Sequence, residues 1–474
     1  SETARMFALP GATSWLAQRG FALALPFAGG PMEGVRLGVN RVRGVERPVW
    51  LPSESRAQHV WICGATGTGK STLLESQILQ DVLADRGVIV IDPHGELIDR
   101  ILTRIPARRA RDVILFDPAD TAHPVGLNPL EAANEDERAM VVSAFLGLLQ
   151  KLYDPHHQGI VGPRFENGVR NTMLTVMERP GATLVEFIRC YTDDAFRREL
   201  VANLKDPIVK RYWTDQIDRT QDFHRSEVLD WIVSKFNRFV TDPTIRRIIG
   251  QSQSGFSFRA AMDTGKIVLL SLAKGRVGAD NANFLGLVLL PKILQAALAR
   301  VDTLEAARRP VNLYIDEFQN YATDALAQML SEARKYHLGL TLANQHIGQL
   351  TQDVRDAVIG NVGSVVAFRL GVGDATAMRE ILAPSPIATQ HLTDLPDYTA
   401  YARLLADGRR LPALTLATEP VTIAANVRRG EDVRARSRKT YGRPRAEVDA
   451  EMNQRAHLDG PKAPTNSGIF RLTS

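Results

Sequence analysis

The chain has 474 residues, 44% hydrophobic and 23% charged, with 35 Gly and 25 Pro, a composition that excludes a disordered polypeptide or a collagen-like repeat and a length that exceeds one compact core. The net charge is +5, and residues 421–474 carry that whole excess, with 11 Lys+Arg against 6 Asp+Glu. Its two cysteines, Cys63 and Cys190, stand far apart in apolar surroundings, which excludes a disulfide framework and fits a reducing, cytoplasmic setting.

Residues 1–58 read as an irregular or β-rich arm. Short, nearly continuous apolar runs then follow at 59–63, 88–92, 112–116, 266–272, 311–316, 338–343 and 364–370. Runs of this kind suit strands buried on both faces. Helical patterns at Thr72–Ala84, Asn281–Val301, Tyr321–Tyr336 and Asp374–Leu382 alternate with them, which predicts an α/β fold with a mostly parallel sheet and helices on both faces. The longest apolar run, 284–290, is stopped by Pro291 and Lys292, short of the roughly 20 residues that a membrane-spanning helix needs.

Between residues 131 and 250 the strand pattern gives way to amphipathic helical stretches punctuated at Pro163, Pro180, Pro207 and Pro243, with 17 Lys+Arg balancing 18 Asp+Glu. This segment is expected to be an all-helical insertion. Its aromatics Trp213, Phe223, Trp231, Phe236 and Phe239 recur at helix-like intervals, the pattern of a packed core, with a base-stacking platform as the alternative. Residues 398–420 read as a hairpin turning at Asp407-Gly408. The domain plan is thus a lead-in at 1–58, an α/β domain from 59–130 and 251–425, the insertion at 131–250, and a basic C-terminal tail at 426–474, either extended or an isolated helix.

The segment Gly64-Ala65-Thr66-Gly67-Thr68-Gly69-Lys70-Ser71 follows an apolar strand and opens an amphipathic helix at Thr72, the context that a G-x-x-x-x-G-K-[ST] phosphate loop requires. Glycines let the backbone N–H groups of Gly64 to Thr72 wrap a phosphate, and the helix N-terminus adds positive potential there. Lys70 is placed to reach the β and γ phosphates and the Ser71 hydroxyl to bind Mg²⁺. A second apolar strand, Leu313-Tyr314-Ile315, ends in Asp316-Glu317. That pair supplies one carboxylate for the metal, Asp316, and one to polarise the attacking water, Glu317.

A crossover from Glu317, read as one helix of about 17 residues, brings the next strand's Asn344 and Gln345 back to the crevice. There Gln345 can hydrogen-bond the γ-phosphate or the water. Arg334, late on the crossover helix, is expected to face away from its own phosphate loop and to act as a finger in a neighbouring subunit; complementing the helix dipole is its alternative role. Arg369 is a second candidate. Asp92-Pro93-His94-Gly95-Glu96 reads as an ordinary β-to-α turn or as a contact to metal-bound water. The ten His show no zinc spacing, and no Asn-Lys-x-Asp or Thr-Lys-x-Asp segment is present for guanine, so ATP with Mg²⁺ is the expected pair.

Taken together, HVWICGATGTGKSTLL, VIVIDPHGEL, KIVLLSLAKGRVG, LYIDEFQNYAT, SEARKYHLGLTLANQHIGQL and SRKTYGRPRAEV resemble the FtsK/HerA superfamily of P-loop DNA motors, and most of all the TraG/TraD-like coupling ATPases of conjugative type IV secretion. The resemblance covers roughly residues 45–450. It implies a RecA-like core interrupted by an all-helical domain, a homo-hexameric ring around DNA, and partners among relaxases and secretion components. By position it assigns Lys70 and Ser71 to Walker A, Asp316 and Glu317 to Walker B, Gln345 to coupling hydrolysis to movement, and Arg334 to the trans finger. Such coupling proteins carry an N-terminal membrane anchor, which is expected to be missing from this sequence. A HerA-like DNA-processing motor and a nucleotide-switched protein-docking module stand as alternatives.

Overall fold

The computed structural model describes residues 23–27, 33–217, 222–456 and 458, and of 222–230 the backbone alone. The chain divides into two compact units, one built from residues up to Ala119 with Phe256–Thr440, the other from Asp120–Gly255 with Tyr441 onward. Phe223, and residues 1–22 and 28–32 of the 1–58 arm, lie outside the described side chains.

In the first unit the apolar runs form strands β3 (Val60–Cys63), β4 (Gly87–Asp92), β5 (Val113–Phe116), β6 (Ile267–Ser271), β7 (Val311–Ile315), β8 (Leu338–Asn344) and β9 (Ser364–Ala367). Every residue of these strands is buried, as continuous apolar runs require when helices cover both faces. They pair in parallel in the order β9-β3-β8-β7-β4-β6-β5. Antiparallel strands extend the sheet beyond β9. These are β10 (Thr399–Arg403), β13 (Leu414–Ala417), β1 (Val35–Val42) and β2 (Val45–Leu51). Asp407 and Gly408, at φ 50° and 71°, turn the small inner hairpin of β11 (Leu405–Ala406) and β12 (Arg409–Arg410). Two successive positive φ angles are the primed geometry that suits strand twist.

Parallel pairing puts all strand ends of one sense at one edge. Register places Cys63 opposite Asn344 and Ala367, and Ile91 opposite Ile315. The residues after β3, β4, β7, β8 and β9 therefore share one crevice, the ligand position of open α/β sheets. Strand β8 lies between the strand before the glycine loop and the strand before Asp316, so Gln345 emerges between the two motifs.

One sequence expectation needs correction. The crossover from Glu317 to β8 is three pieces, not one helix: a 3₁₀ turn at Phe318–Tyr321, a helix at Asp324–Glu332 and a second 3₁₀ turn at Ala333–Tyr336. Extended backbone at Ala322 and Thr323 interrupts it, and His337 at φ 57° ends it. The helix expected at Asn281–Val301 runs from Ala279 to Leu298, with Pro291 inside it. The 24 residues Ala279–Asp302 are apolar enough to cross a membrane, but 67% of their most apolar window is buried inside the fold. This is a core helix.

The second unit consists of helices, among them Glu135–Tyr153, Pro163–Met177, Leu184–Thr192, Asp194–Ala202, Asp222–Thr241 and Pro243–Ile249. Pro163, Pro207 and Pro243 each stand in a first helical turn, where the missing N–H costs no intrahelical bond. Side-chain oxygens of Asp193, Asp206 and Asp242 cap helix starts. Most of these aromatics pack inward: Phe236 stacks on Phe145 at 5.5 Å and meets Phe187 at 4.6 Å, and Trp213, Phe236 and Phe239 are buried, while Trp231 is exposed. Buried rings of this kind are core rather than a platform for bases.

The basic C-terminal stretch is neither extended nor isolated. Its first helix, Val427–Tyr441, packs in the first unit, where Arg434 pairs with Asp99 at 2.6 Å and Asp117 at 3.2 Å. Ser437 Oγ accepts the Leu115 N–H at 2.8 Å. The second helix, Arg445–Ala456, buries Val448, Met452 and Ala456 against Val185 in the second unit. There Arg247 pairs with Asp449 at 2.7 Å and Arg455 with Glu186 at 3.1 Å. Much of the charge that looked free in sequence is thus paired within the chain.

Candidate nucleotide site

The glycine loop follows β3 and enters the helix Lys70–Leu83. Gly67 and Gly69 have φ of 78° and 118°, the region that glycine adopts without a steric penalty. A Cβ on Gly69 would lie 3.1 Å from the Phe368 ring and 3.1 Å from Tyr398 Cα, so packing reinforces the demand. Thr68 is buried and its hydroxyl donates to the Ala65 carbonyl at 2.7 Å, closing the loop on itself. Loop and neighbours are tied through Ala65 N–H to the Arg369 carbonyl at 2.8 Å and Tyr398 N–H to the Thr68 carbonyl at 2.8 Å.

Lys70 is buried and donates to the carbonyls of Gly64 at 2.5 Å and Ala65 at 3.0 Å. Burial lowers its pKa, against the opposing pull of Asp316 and Glu317. Ser71 is exposed on the first helical turn and Thr72 is half-buried, while Thr66 and Gly67 are exposed at the loop tip. The N-terminus of this 14-residue helix contributes the positive end of its dipole to the loop.

Across the crevice, Asp316 and Glu317 follow β7. Burial pushes the Asp316 carboxyl up to about 6, the Asp92 carboxylate adds to the rise, and Lys70 opposes it. Asp92 itself accepts the N–H groups of His94 at 3.0 Å and Ile98 at 3.1 Å, so it shapes the β-to-α turn and also charges the site. The Asp316 carboxylate after β7 and the Ser71 hydroxyl at the start of the loop's helix are oxygen donors of the kind Mg²⁺ takes. Among these residues Asp316 and Ser71 would hold the ion.

Glu317 sits at φ 48° and ψ 45°, a left-handed backbone that a side chain adopts only under constraint. Its carboxylate gathers several donors: Gln345 Nε2 at 3.0 Å, Asn320 Nδ2 at 3.2 Å and His94 Nε2 at 3.2 Å. Gln345 in turn accepts the Thr66 hydroxyl at 3.0 Å. A continuous chain of hydrogen bonds thus runs from the glycine loop through Gln345 to Glu317. Next to it, Asn344 accepts the Trp61 indole N–H at 2.8 Å, fixing β8 against β3 beside the crevice.

Arg334 is not in this crevice. It lies in the 3₁₀ turn before β8, at the amino edge of the sheet. The seven residues of β8 separate it from Gln345 by about 20 Å at the usual strand rise. It is exposed, makes no side-chain hydrogen bond or ion pair among the described residues, and its charge is felt by the buried ring of His59. Arg369, by contrast, is engaged: its guanidinium pairs with Asp397 at 2.8 Å and donates to the Leu395 carbonyl at 3.2 Å. Its backbone carbonyl, rather than its charge, serves the loop.

Sequence reasoning missed Asn320, Tyr321, His94 as a partner of Glu317, and Tyr398. Asn320 had a local signal, since a polar residue three beyond Glu317 in a 3₁₀ turn returns to it. Tyr398, at φ 62°, had none. It reaches the loop only through the antiparallel extension of the sheet.

This fold and crevice define a P-loop nucleoside-triphosphatase with a RecA-like core. The chain belongs to the type IV secretory system conjugative DNA transfer family, whose model matches residues 32–366. No curated protein sequence matches it. Among solved structures it is similar to the plasmid coupling protein TrwB in complex with a non-hydrolysable ATP analogue (18% identity, 84% of this chain and 97% of that one, TM-score 0.57). It is similar also to TrwB in complex with ADP and Mg²⁺ (18%, 84% and 91%, TM-score 0.55). VirB4 of Thermoanaerobacter pseudethanolicus shares the fold too (14%, 83% and 99%, TM-score 0.53). At these identities the likeness is one of fold.

Proposed function

We propose that the chain hydrolyses ATP with Mg²⁺ as a ring-forming DNA translocase, a homo-hexamer that moves DNA, with a bound relaxase, toward a type IV secretion channel. The observation that carries this reading is the hydrogen-bonded path Thr66–Gln345–Glu317. It links the phosphate-binding loop to the residue placed to polarise water. The structures of TrwB with an ATP analogue and with ADP and Mg²⁺ support the choice of ligands.

In this reading the N–H groups of the glycine loop and the Lys70 ammonium cradle the phosphates and neutralise charge developing on them. Ser71 and Asp316 would hold Mg²⁺, which would supply charge neutralisation for the phosphates when bound. Glu317 accepts hydrogen bonds on both carboxylate oxygens, which fixes the orientation in which it meets the attacking water. Gln345 touches both the loop and the base, so a change at the phosphate alters the hydrogen bonds of Glu317 and β8 together. Arg334, unpaired at the far edge of the sheet, is offered to the site of a neighbouring subunit.

ATP turnover by the wild-type chain, with and without DNA, tests the reading. A translocase accelerates on DNA. A rate indifferent to DNA would favour the nucleotide-switched docking module instead.

A further inference from the structure

Tyr398 stands in the short segment that leads into β10, at φ 62°. A left-handed backbone is an outlier for so bulky a residue, and such outliers point to a task that holds them in place. The segment is pinned from several sides. The Tyr398 N–H donates to the Thr68 carbonyl at 2.8 Å, and the Tyr398 carbonyl accepts the Thr418 N–H at 2.8 Å and the Thr418 hydroxyl at 3.0 Å. Just before it, Asp397 pairs with Arg369 at 2.8 Å.

The ring lies on the rim of the glycine loop, since a Cβ on Gly69 would fall 3.1 Å from Tyr398 Cδ1. Yet the residue is 52% exposed, so it meets the loop and stays open to a ligand. Sheet order says which end of a nucleotide lies here. In the order β10-β9-β3-β8-β7, Gln345 and Glu317, which mark the γ-phosphate end, follow β8 and β7 on one side of the glycine loop. Tyr398 leads into β10 on the other side. A nucleotide whose phosphates occupy the loop after β3 therefore extends its base toward β9 and β10.

We infer that Tyr398 is the base-binding residue of this site, its ring stacking on the face of the nucleotide's base. A flat aromatic ring, held at the rim by its backbone and open to solvent, suits that task. The left-handed backbone is what carries the ring there. The inference rests on the proposed reading of the loop, Gln345 and Glu317 as the triphosphate site.

The test compares ATP with inorganic tripolyphosphate, which offers phosphates and no base, by calorimetric titration of the full chain in the presence of Mg²⁺. Glycine takes a positive φ without penalty, so Tyr398→Gly is expected to keep the wild-type melting temperature. It is expected to bind ATP about 10-fold more weakly, the scale of one base–aromatic stack, and to bind tripolyphosphate as wild type does. Tyr398→Phe, which keeps the ring, should match wild type for both ligands. Tyr398→Asn, whose short side chain also accepts the left-handed backbone, repeats the test without a glycine. Wild-type ATP affinity in Tyr398→Gly and Tyr398→Asn would overturn the inference while leaving the site reading intact. An equal loss for ATP and tripolyphosphate would overturn it too, because the ring would then act by shaping the loop. A wild-type chain that binds neither ligand would overturn the site reading itself, and the inference with it.

Discussion

Tyr314 and Tyr321 stand seven positions apart on either side of the Asp316-Glu317 pair, both fully buried and both facing carboxylates, yet their surroundings are opposite. The Tyr314 hydroxyl donates to Asp81 at 2.6 Å and accepts from Arg56 at 2.5 Å, and Arg56 meets both Asp81 oxygens at 2.7 and 2.8 Å. That triad ties the helix of the glycine loop to β7 and to the segment before β3. Around Asp316, by contrast, burial and the Asp92 carboxylate push the Asp316 carboxyl up, and the Tyr321 hydroxyl has no hydrogen-bond partner among the described residues. The difference teaches how unevenly polar groups are satisfied in one core: one buried polar cluster is complete within the chain, the other keeps a donor without a partner among the described residues.

Breaking the complete cluster should have the largest effect. Asp81→Ala leaves the Arg56 guanidinium buried without its partner and is expected to cost about 3–5 kcal/mol of stability, measured by denaturant unfolding. A loss below about 1 kcal/mol would show that water or Tyr314 replaces the carboxylate.

Arg334 sharpens the contrast from the other side, as an exposed cation with no partner among the described residues. Arg334→Ala is expected to bind ATP normally and to lose hydrolysis on the order of 10³-fold. Mixed with Lys70→Ala protein, itself inactive, it should regain activity at interfaces that pair an intact loop with an intact Arg334. No recovery in verified mixed assemblies would remove the trans role.

His59 is a second complete site, at the amino edge of β3. Nδ1 accepts the Leu340 N–H at 3.1 Å and Nε2 meets the Leu330 carbonyl at 3.0 Å, and burial lowers its pKa from 6.5 to about 4. Because the folded value lies below the unfolded one, the neutral ring stabilises the fold above about pH 6.5, and that contribution is lost as pH falls through about 4. The loss is on the order of 3 kcal/mol. Stability measured against pH in wild type and His59→Gln checks this, since the variant should lack that step.

The seven parallel strands were legible because burial on both faces writes a continuous apolar run, and the glycine loop and Asp316-Glu317 because each is local. Gln345 was reachable through topology alone: a parallel crossover returns the next strand end to the same edge. The break in the crossover at Ala322 and Thr323 was not legible, since the periodicity of Tyr321–Tyr336 still reads as one helix. The Arg56–Asp81–Tyr314 triad joins residues up to 258 positions apart, and Tyr321 meets Gly286 across two elements. Contacts of that separation leave no pattern in a single sequence. The C-terminal arginines misled for a related reason: Asp99, Asp117 and Glu186, which pair with Arg434 and Arg455, are hundreds of positions away.

The central claim, that Glu317 is the water-polarising end of a path beginning at the phosphate loop, is tested most directly by single-turnover ATP hydrolysis in Glu317→Gln alongside its ATP affinity with Mg²⁺. The account predicts affinity near wild type with hydrolysis slowed roughly 10²-fold or more. Hydrolysis at the wild-type rate in a variant that binds ATP normally would contradict it.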